Sequence, residues 1–274
     1  MKSLKHLYST GSGIFLLFCL YVLTAGTMLS ADLETTASGT AFNDILANTR
    51  KSVGAFFSQF ESVTCVEKVT QEKIGKEGKV EYAQKSTFDY LVFVNLEKDG
   101  PKVDESRLQQ GKNGKVTSTP LLITSGLPTL LLVFHPYYQE SFHYRLDGEE
   151  LADGSRLARI QFQHIPGTLS TTALRLRGKD YPLDIQGMAW IDPETGVIHR
   201  ITARLAAPVS DINFKALEME VRYDAHKFSS DEGVYWLPST ATIGIQSERQ
   251  RWRNIHQYSN YKRFTVNTEN KILR

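Results

Sequence analysis

Apolar and polar positions recur with regular periods along much of this chain, at helical spacing first and at strand spacing after it. Phe42, Ile45, Leu46, Thr49, Val53, Phe56, Phe57 and Phe60 recur at steps of three and four, which predicts an amphipathic helix from about Thr40 to Gln59. Thr40 is placed to cap it, and Asp44 suits its first turn. Its polar face, with Asn43, Asn48, Arg50, Lys51, Ser52 and Gln59, is not strongly basic, so docking on a sheet is favoured over lying on a membrane. From Glu61 the period becomes two. Val63 to Gln71 and the run Phe88, Tyr90, Val92, Val94, Leu96 flank Gly75-Lys76-Glu77-Gly78, the pattern of a hairpin. Turns at Asp99-Gly100-Pro101 and Lys112-Asn113-Gly114-Lys115 bracket a polar strand or loop with Glu105, Ser106 and Arg107.

Between Pro120 and Tyr138 the pattern is of another kind. Leu121, Leu122, Ile123, Leu127, Leu130, Leu131, Leu132, Val133 and Phe134 crowd together, interrupted by Gly126, Pro128 and Pro136. The run is too short and broken to span a bilayer, and it predicts a loop and a short helix near Pro128 that cover part of the sheet. From Phe142 a meander follows, clearest in Leu217, Met219, Val221 and Tyr223, which alternate with Glu218, Glu220, Arg222 and Asp224. One dry face and one wet face mark an antiparallel sheet. Turns at Asp147-Gly148-Glu149, Asp153-Gly154, Asp192-Pro193-Glu194-Thr195-Gly196 and Asp231-Glu232-Gly233 divide the strands. Thr168 to Gln186 lacks periodicity and reads as a long crossover or lid loop. The predicted fold class is mainly β (α+β), a single curved antiparallel sheet or half-open β-barrel packed on an N-terminal amphipathic helix.

The N-terminus adds a destination. Lys2 and Lys5 precede an uncharged apolar run from Ile14 to Leu29, the layout of a secretory signal peptide. Residues 1–30 are thus expected to be a signal peptide or an N-terminal membrane anchor. The run is shorter than the roughly 20 residues of a spanning helix, which favours cleavage near Thr24-Ala25-Gly26. Bulky Phe18 before Cys19 disfavours lipid attachment there. Residues 31–39, small and polar, read as a flexible tether, and 40–274 as one β-rich domain. The expected location is periplasmic or secreted. Loss of the leader leaves Cys65 as the mature chain's single cysteine, in an apolar, β-branched setting that predicts a buried thiol. It also brings the 32 basic residues of the whole chain to parity with the 30 acidic ones, which argues against nucleic-acid binding.

Candidate chemistry is sparse. His135, His143, His164, His199, His226 and His256 stand singly without metal-ligand spacing. The mature sequence has neither a Gly-x-Ser-x-Gly elbow nor a phosphate-binding glycine loop, so no catalytic residue, metal or cofactor is assigned. Arg251-Trp252-Arg253 places an aromatic ring between cations, as a base or sugar site does and as an exposed strand end also does. Apolar binding remains, with Phe56, Phe60, Leu127, Leu131, Phe134, Trp190 and Tyr223 as ligand-contacting candidates. Their surroundings are either a greasy cavity or an ordinary core.

The segment Gly187-Met188-Ala189-Trp190-Ile191-Asp192-Pro193-Glu194-Thr195-Gly196-Val197-Ile198-His199-Arg200-Ile201 resembles a hairpin of LolA-like outer-membrane lipoprotein-sorting proteins and their RseB-like relatives. Tyr235-Trp236-Leu237-Pro238 adds to it, and the order of elements from Thr40 to Val266 is similar. The resemblance implies an incomplete barrel around a helix, an apolar face that receives acyl chains, and no catalysis. The implied partner is a lipid or lipoprotein; an envelope-protein partner and peripheral membrane contact are separate expectations. An alternative is a structural or interaction module with a solid core. The chain departs from the family at Leu121 to Phe134 and at Thr168 to Gln186.

Overall fold

The computed structural model describes residues 26–60, 63–97, 100–110, 124–152, 154–176, 178–229 and 232–263. The chain divides into two units, residues 1–44 and 45–274. Helix α1 spans Gly26–Phe60, and the sheet lies in the second unit. Residues 31–39, read from sequence as a tether, are helical: no proline interrupts the stretch, and one glycine, Gly39, is a tolerable cost within a helix. Residues 1–25 of the expected leader, and the turn at Lys112 to Lys115, lie outside the described residues.

The strands are β1 (Val63–Ile74), β2 (Val80–Glu97), β3 (Gly100–Gln109), β4 (Phe142–Ala152), β5 (Ser155–His164), β6 (Ala173–Leu176), β7 (Lys179–Pro182), β8 (Ile185–Ile191), β9 (Ile198–Leu205), β10 (Phe214–Lys227), β11 (Val234–Ser247) and β12 (Arg251–Arg263). Ten of them form one antiparallel sheet in the order β3-β2-β1-β12-β11-β10-β9-β8-β5-β4. It is not closed, since β3 and β4 remain edges. The fold is therefore mainly β, an open antiparallel sheet with a helix before it, as the periodicity predicts. The segment Thr168 to Gln186 is a correction: it holds the separate two-stranded hairpin β6–β7, whose short pairing leaves no long alternation to read.

Register explains the core. Ile160, Ala189, Ile201, Val221, Ala241, His256 and Val69 stand opposite one another in successive strands. All seven are buried, so one face of the sheet is dry along this whole row. The neighbouring row, Gln161, Met188, Thr202, Glu220, Thr242 and Ile255, points to the other face. The dry face is covered by two elements that are not strands. Ile45, Leu46, Thr49, Val53, Phe56 and Phe57 of α1 are buried, and so are Leu130 to Phe134 of a 3-10 segment, Leu127–Phe134. Each large apolar side chain there contributes about 1.5–3 kcal/mol.

The β8–β9 turn is built by its own residues. Asp192 Oδ1 accepts from the amides of Glu194 and Thr195, both at 2.9 Å, and Gly196 N donates to Asp192 O at 2.8 Å. Gly196 has φ +71°, and a Cβ on it would lie 2.2 Å from the backbone carbon of Asn48 in α1. Asn48 Nδ2 also donates to Glu194 O at 3.2 Å, so the turn seats the helix. Gly196→Ala should therefore destabilise the domain by more than about 1 kcal/mol, through both strain and contact. Chemical denaturation should register it as a lower midpoint with an unchanged slope.

Candidate functional site

Two features of the covered face can carry chemistry, a groove beside α1 and a buried polar cluster at the far strands. The groove has a volume of about 410 Å³ and lies between the helix, the β8–β9 turn and the start of β11. Phe56, Leu131 and Tyr223 line it together with Val53, Val197 and Ile198, while Lys51, Ser52 and Thr195 form a polar rim. Phe56 meets Tyr223 edge to face with 5.8 Å between ring centroids. Tyr223 OH donates to Pro128 O at 2.8 Å, tying β10 to the 3-10 segment, and burial raises its phenol above the ordinary range.

Of the residues singled out from sequence, Phe56, Leu131, Phe134 and Tyr223 are brought to the covered face and buried. Phe134 packs on Phe162, 5.9 Å between centroids, in filled core. Trp190 lies on the opposite face, because Ala189 and Ile191 on either side of it point inward. There its Nε1 donates to Glu150 at 2.8 Å, and the Arg200 guanidinium lies 4.3 Å from its ring centroid. The side chains of Phe60 and Leu127 are outside the described set. Arg251 opens β12, so Arg251-Trp252-Arg253 is a strand end.

The polar cluster could not be read from sequence. Glu67 on β1 has an exposure of 0%, yet it accepts from Arg107 Nε at 2.5 Å and Nη2 at 3.0 Å, a bidentate pair. With its proton on Nδ1, His256 donates to Glu67 at 2.8 Å, and its Nε2 accepts from the Thr124 hydroxyl at 3.0 Å. Glu105 on β3 accepts from Arg107 at 2.6 Å, from Tyr90 OH at 2.6 Å and from Gly126 N at 2.7 Å. Thr124 and Gly126 immediately precede the 3-10 segment, so the cluster grips the entry to the cover. The hydroxyl of Tyr258, buried beside these charges, has no hydrogen-bond partner among the described residues.

Thr124, His256 and Glu67 follow the order of a proton relay, but two observations favour a structural role. Glu67 is already neutralised by Arg107, and Thr124 Oγ1 is shared with Asn254 Nδ2 at 3.4 Å. Burial by itself would raise the Glu67 carboxyl. Hydrogen bonds from His256 and Arg107 outweigh it and hold the group below the ordinary carboxylate range. Cys65, buried nearby on β1, has its thiol pushed up to about 12, chiefly by burial, so it remains an inert thiol. Among the described residues no group of three or more His, Cys, Asp or Glu side chains is placed to hold a metal ion.

No protein-family model and no curated protein matches the sequence. Solved structures are similar at the level of fold. A DUF1329 family protein from Desulfovibrio piger is 13% identical, with 79% of this chain and 95% of that chain covered and a TM-score of 0.36. A LolA superfamily protein from Nitrosomonas europaea is 10% identical, covering 82% and 94%, with a TM-score of 0.37. A Vibrio parahaemolyticus domain described with outer membrane lipoprotein-sorting proteins is 10% identical, covering 84% and 96%, with a TM-score of 0.39.

The cluster predicts a pH profile. A carboxyl held lower in the folded than in the unfolded state binds fewer protons when folded, so its stabilisation is present above the unfolded value, about 4.3. That stabilisation is lost as pH falls through the depressed folded value. Unfolding free energies measured from pH 7 downward should show this loss in the native chain and a flatter acid limb in Glu67→Gln. Arg107→Met, which leaves Glu67 buried without its cation, should cost about 3–5 kcal/mol at pH 7.

Proposed function

We propose that this is an exported, non-catalytic protein of the cell envelope that binds the acyl chain of a lipid or lipidated protein in the groove beside α1. The observation that carries the reading is the convergence of Phe56, Leu131 and Tyr223 on one groove of about 410 Å³. This volume falls in the range of about 300–1,000 Å³ usual for small-ligand sites. Its walls are apolar at depth and polar at the rim, where Lys51 is positioned for an anionic headgroup. The cover itself supports the reading. The 3-10 segment is joined to the sheet through side chains, as in Tyr144 OH donating to Val133 O, and is not part of the sheet ladder. Displacing it therefore costs fewer backbone hydrogen bonds than displacing a strand. The N-terminal sequence supports export.

A second reading, an envelope interaction module with a solid core, is favoured by the packing of Val133, Phe134, Ile160 and Ile201, each with at most 1% exposure. The two readings differ in what purifies with the protein. Mass spectrometry of small molecules extracted from the mature chain should find lipid, and a fluorescent fatty acid should bind to it. Ala55 is exposed on α1 and borders the groove, so Ala55→Trp should fill the groove with the fold intact and weaken fatty-acid binding at least tenfold. A chain that carries no lipid and ignores the probe would be the solid-core module.

A further inference from the structure

The outer face of the sheet holds a groove larger than the one beside α1, about 890 Å³, running across β4, β5, β8, β9, β10, β11 and β12. At its β11 position stands Gly244, opposite Glu218 of β10 and Arg253 of β12 in unbroken register. Glycine inside a strand costs about 0.5–1 kcal/mol relative to alanine, so it calls for a reason. Backbone conformation is not the reason, since Gly244 is absent from the positive-φ residues. Crowding is not one either: the nearest atom to an added Cβ is the Trp252 carbonyl oxygen at 4.0 Å. Gly187 in β8 is the contrast, because a Cβ there would lie 1.9 Å from Thr202 O. What Gly244 provides is an open groove floor, the circumstance in which strand glycines admit a ligand.

The groove lining defines the chemistry of that ligand. Gln163, Thr202 and Thr242, with the amide nitrogen of Gln186, offer donors and acceptors together, whereas the Gln161 amide is already held by Arg145 at 2.6 Å and Asp147 at 2.8 Å. The two large aromatic residues on its border, Tyr144 and Phe162, make their ring contacts on the covered face with Phe134, so neither provides a stacking platform. Most charges are already paired: Arg253 with Glu72 at 2.6 Å, and Glu220 with Arg200 at 2.8 Å and Arg222 at 2.7 Å. Arg204 and Glu218 differ. They stand opposite each other in register, yet no ion pair joins them or ties either to another charge among the described residues. Arg204 instead donates to the amide oxygen of Gln186, turned toward it, at 3.0 and 3.2 Å.

We propose that this outer groove binds an extended polypeptide segment bearing an acidic side chain for Arg204 and a basic one for Glu218. The Gln163 amide, the Gln186 amide nitrogen and the Thr202 and Thr242 hydroxyls match the carbonyl and N–H groups of a peptide backbone. Seven strands spaced by about 4.8 Å span roughly 29 Å, the length of about eight or nine extended residues. This site is separate from the acyl groove and stands or falls independently of it.

The test is binding of the purified mature chain to an array of nine-residue peptides in which the positions of one Glu and one Lys are varied. Peptides carrying both charges should be retained in preference to those carrying one or none. Gly244→Trp should weaken their binding at least tenfold, and Arg204→Glu should abolish the requirement for the peptide's acidic residue. Arg204→Glu keeps the test decisive if the bulky variant fails to fold. Both variants should still bind the fluorescent fatty acid if the acyl groove functions, so loss of one activity does not mimic loss of the other. Absence of charge-dependent retention, indifference of folded variants to the substitutions, or displacement of the peptides by neutral oligosaccharides would each overturn the proposal.

Discussion

A ten-stranded sheet that does not close on itself has to hide one entire apolar face, and most of this structure follows from how that is done. In a closed barrel the sheet buries its own interior. Here the row from Ile160 to Val69 crosses seven strands and is kept dry by helix and 3-10 segments that contribute nothing to the strand ladder. The apolar crowding between Leu130 and Phe134 is the counterpart of that face, and so is the three-and-four spacing of α1. The β8–β9 turn belongs to the same arrangement, because Gly196 permits the helix backbone to come close.

Such a cover needs polar anchors, since apolar contact alone does not fix position or direction. The cluster of Glu67, Arg107, His256, Glu105 and Tyr90 supplies them at the point where the chain enters the 3-10 segment. Buried charges of this kind add little net stability over a well-packed apolar core, but removing one partner is costly, which makes their arrangement specific. Tyr223 and Tyr144 extend the same logic along the segment, each joining a strand to a backbone carbonyl of the cover. The groove beside α1 opens where this anchoring gives way to the contact between α1 and the β8–β9 turn.

The two faces therefore have different chemistry. The covered face is apolar with a few fixed polar anchors. The outer face is a lattice of amides, hydroxyls and mostly paired charges, and Gly244 keeps it open where a side chain would fit. A single sheet thereby presents a greasy groove and a polar one, separated by the thickness of its strands.

Much of this was legible in the residues alone. Alternation in Leu217, Met219, Val221 and Tyr223 fixed the wet and dry faces of β10, and Asp192 to Gly196 announced a turn, because both depend on neighbours within a few positions. The burial of Phe56 and Phe134 follows from helix spacing and hydrophobic density in the same way. Other features waited for the tertiary structure. Trp190 looked like part of an apolar interior, yet it lies outside, because strand register sets its side. Glu105 and Arg107 read as a polar strand or loop, but pairing of β3 with β2 turns them inward to Glu67, forty positions from Arg107 along the chain. The helical state of residues 31–39 and the β6–β7 hairpin were missed because neither has an amphipathic repeat. Local periodicity determines which face a strand buries, whereas only long-range register decides which side chains meet there, and that is why the sequence by itself defined the sheet and left both grooves to the fold.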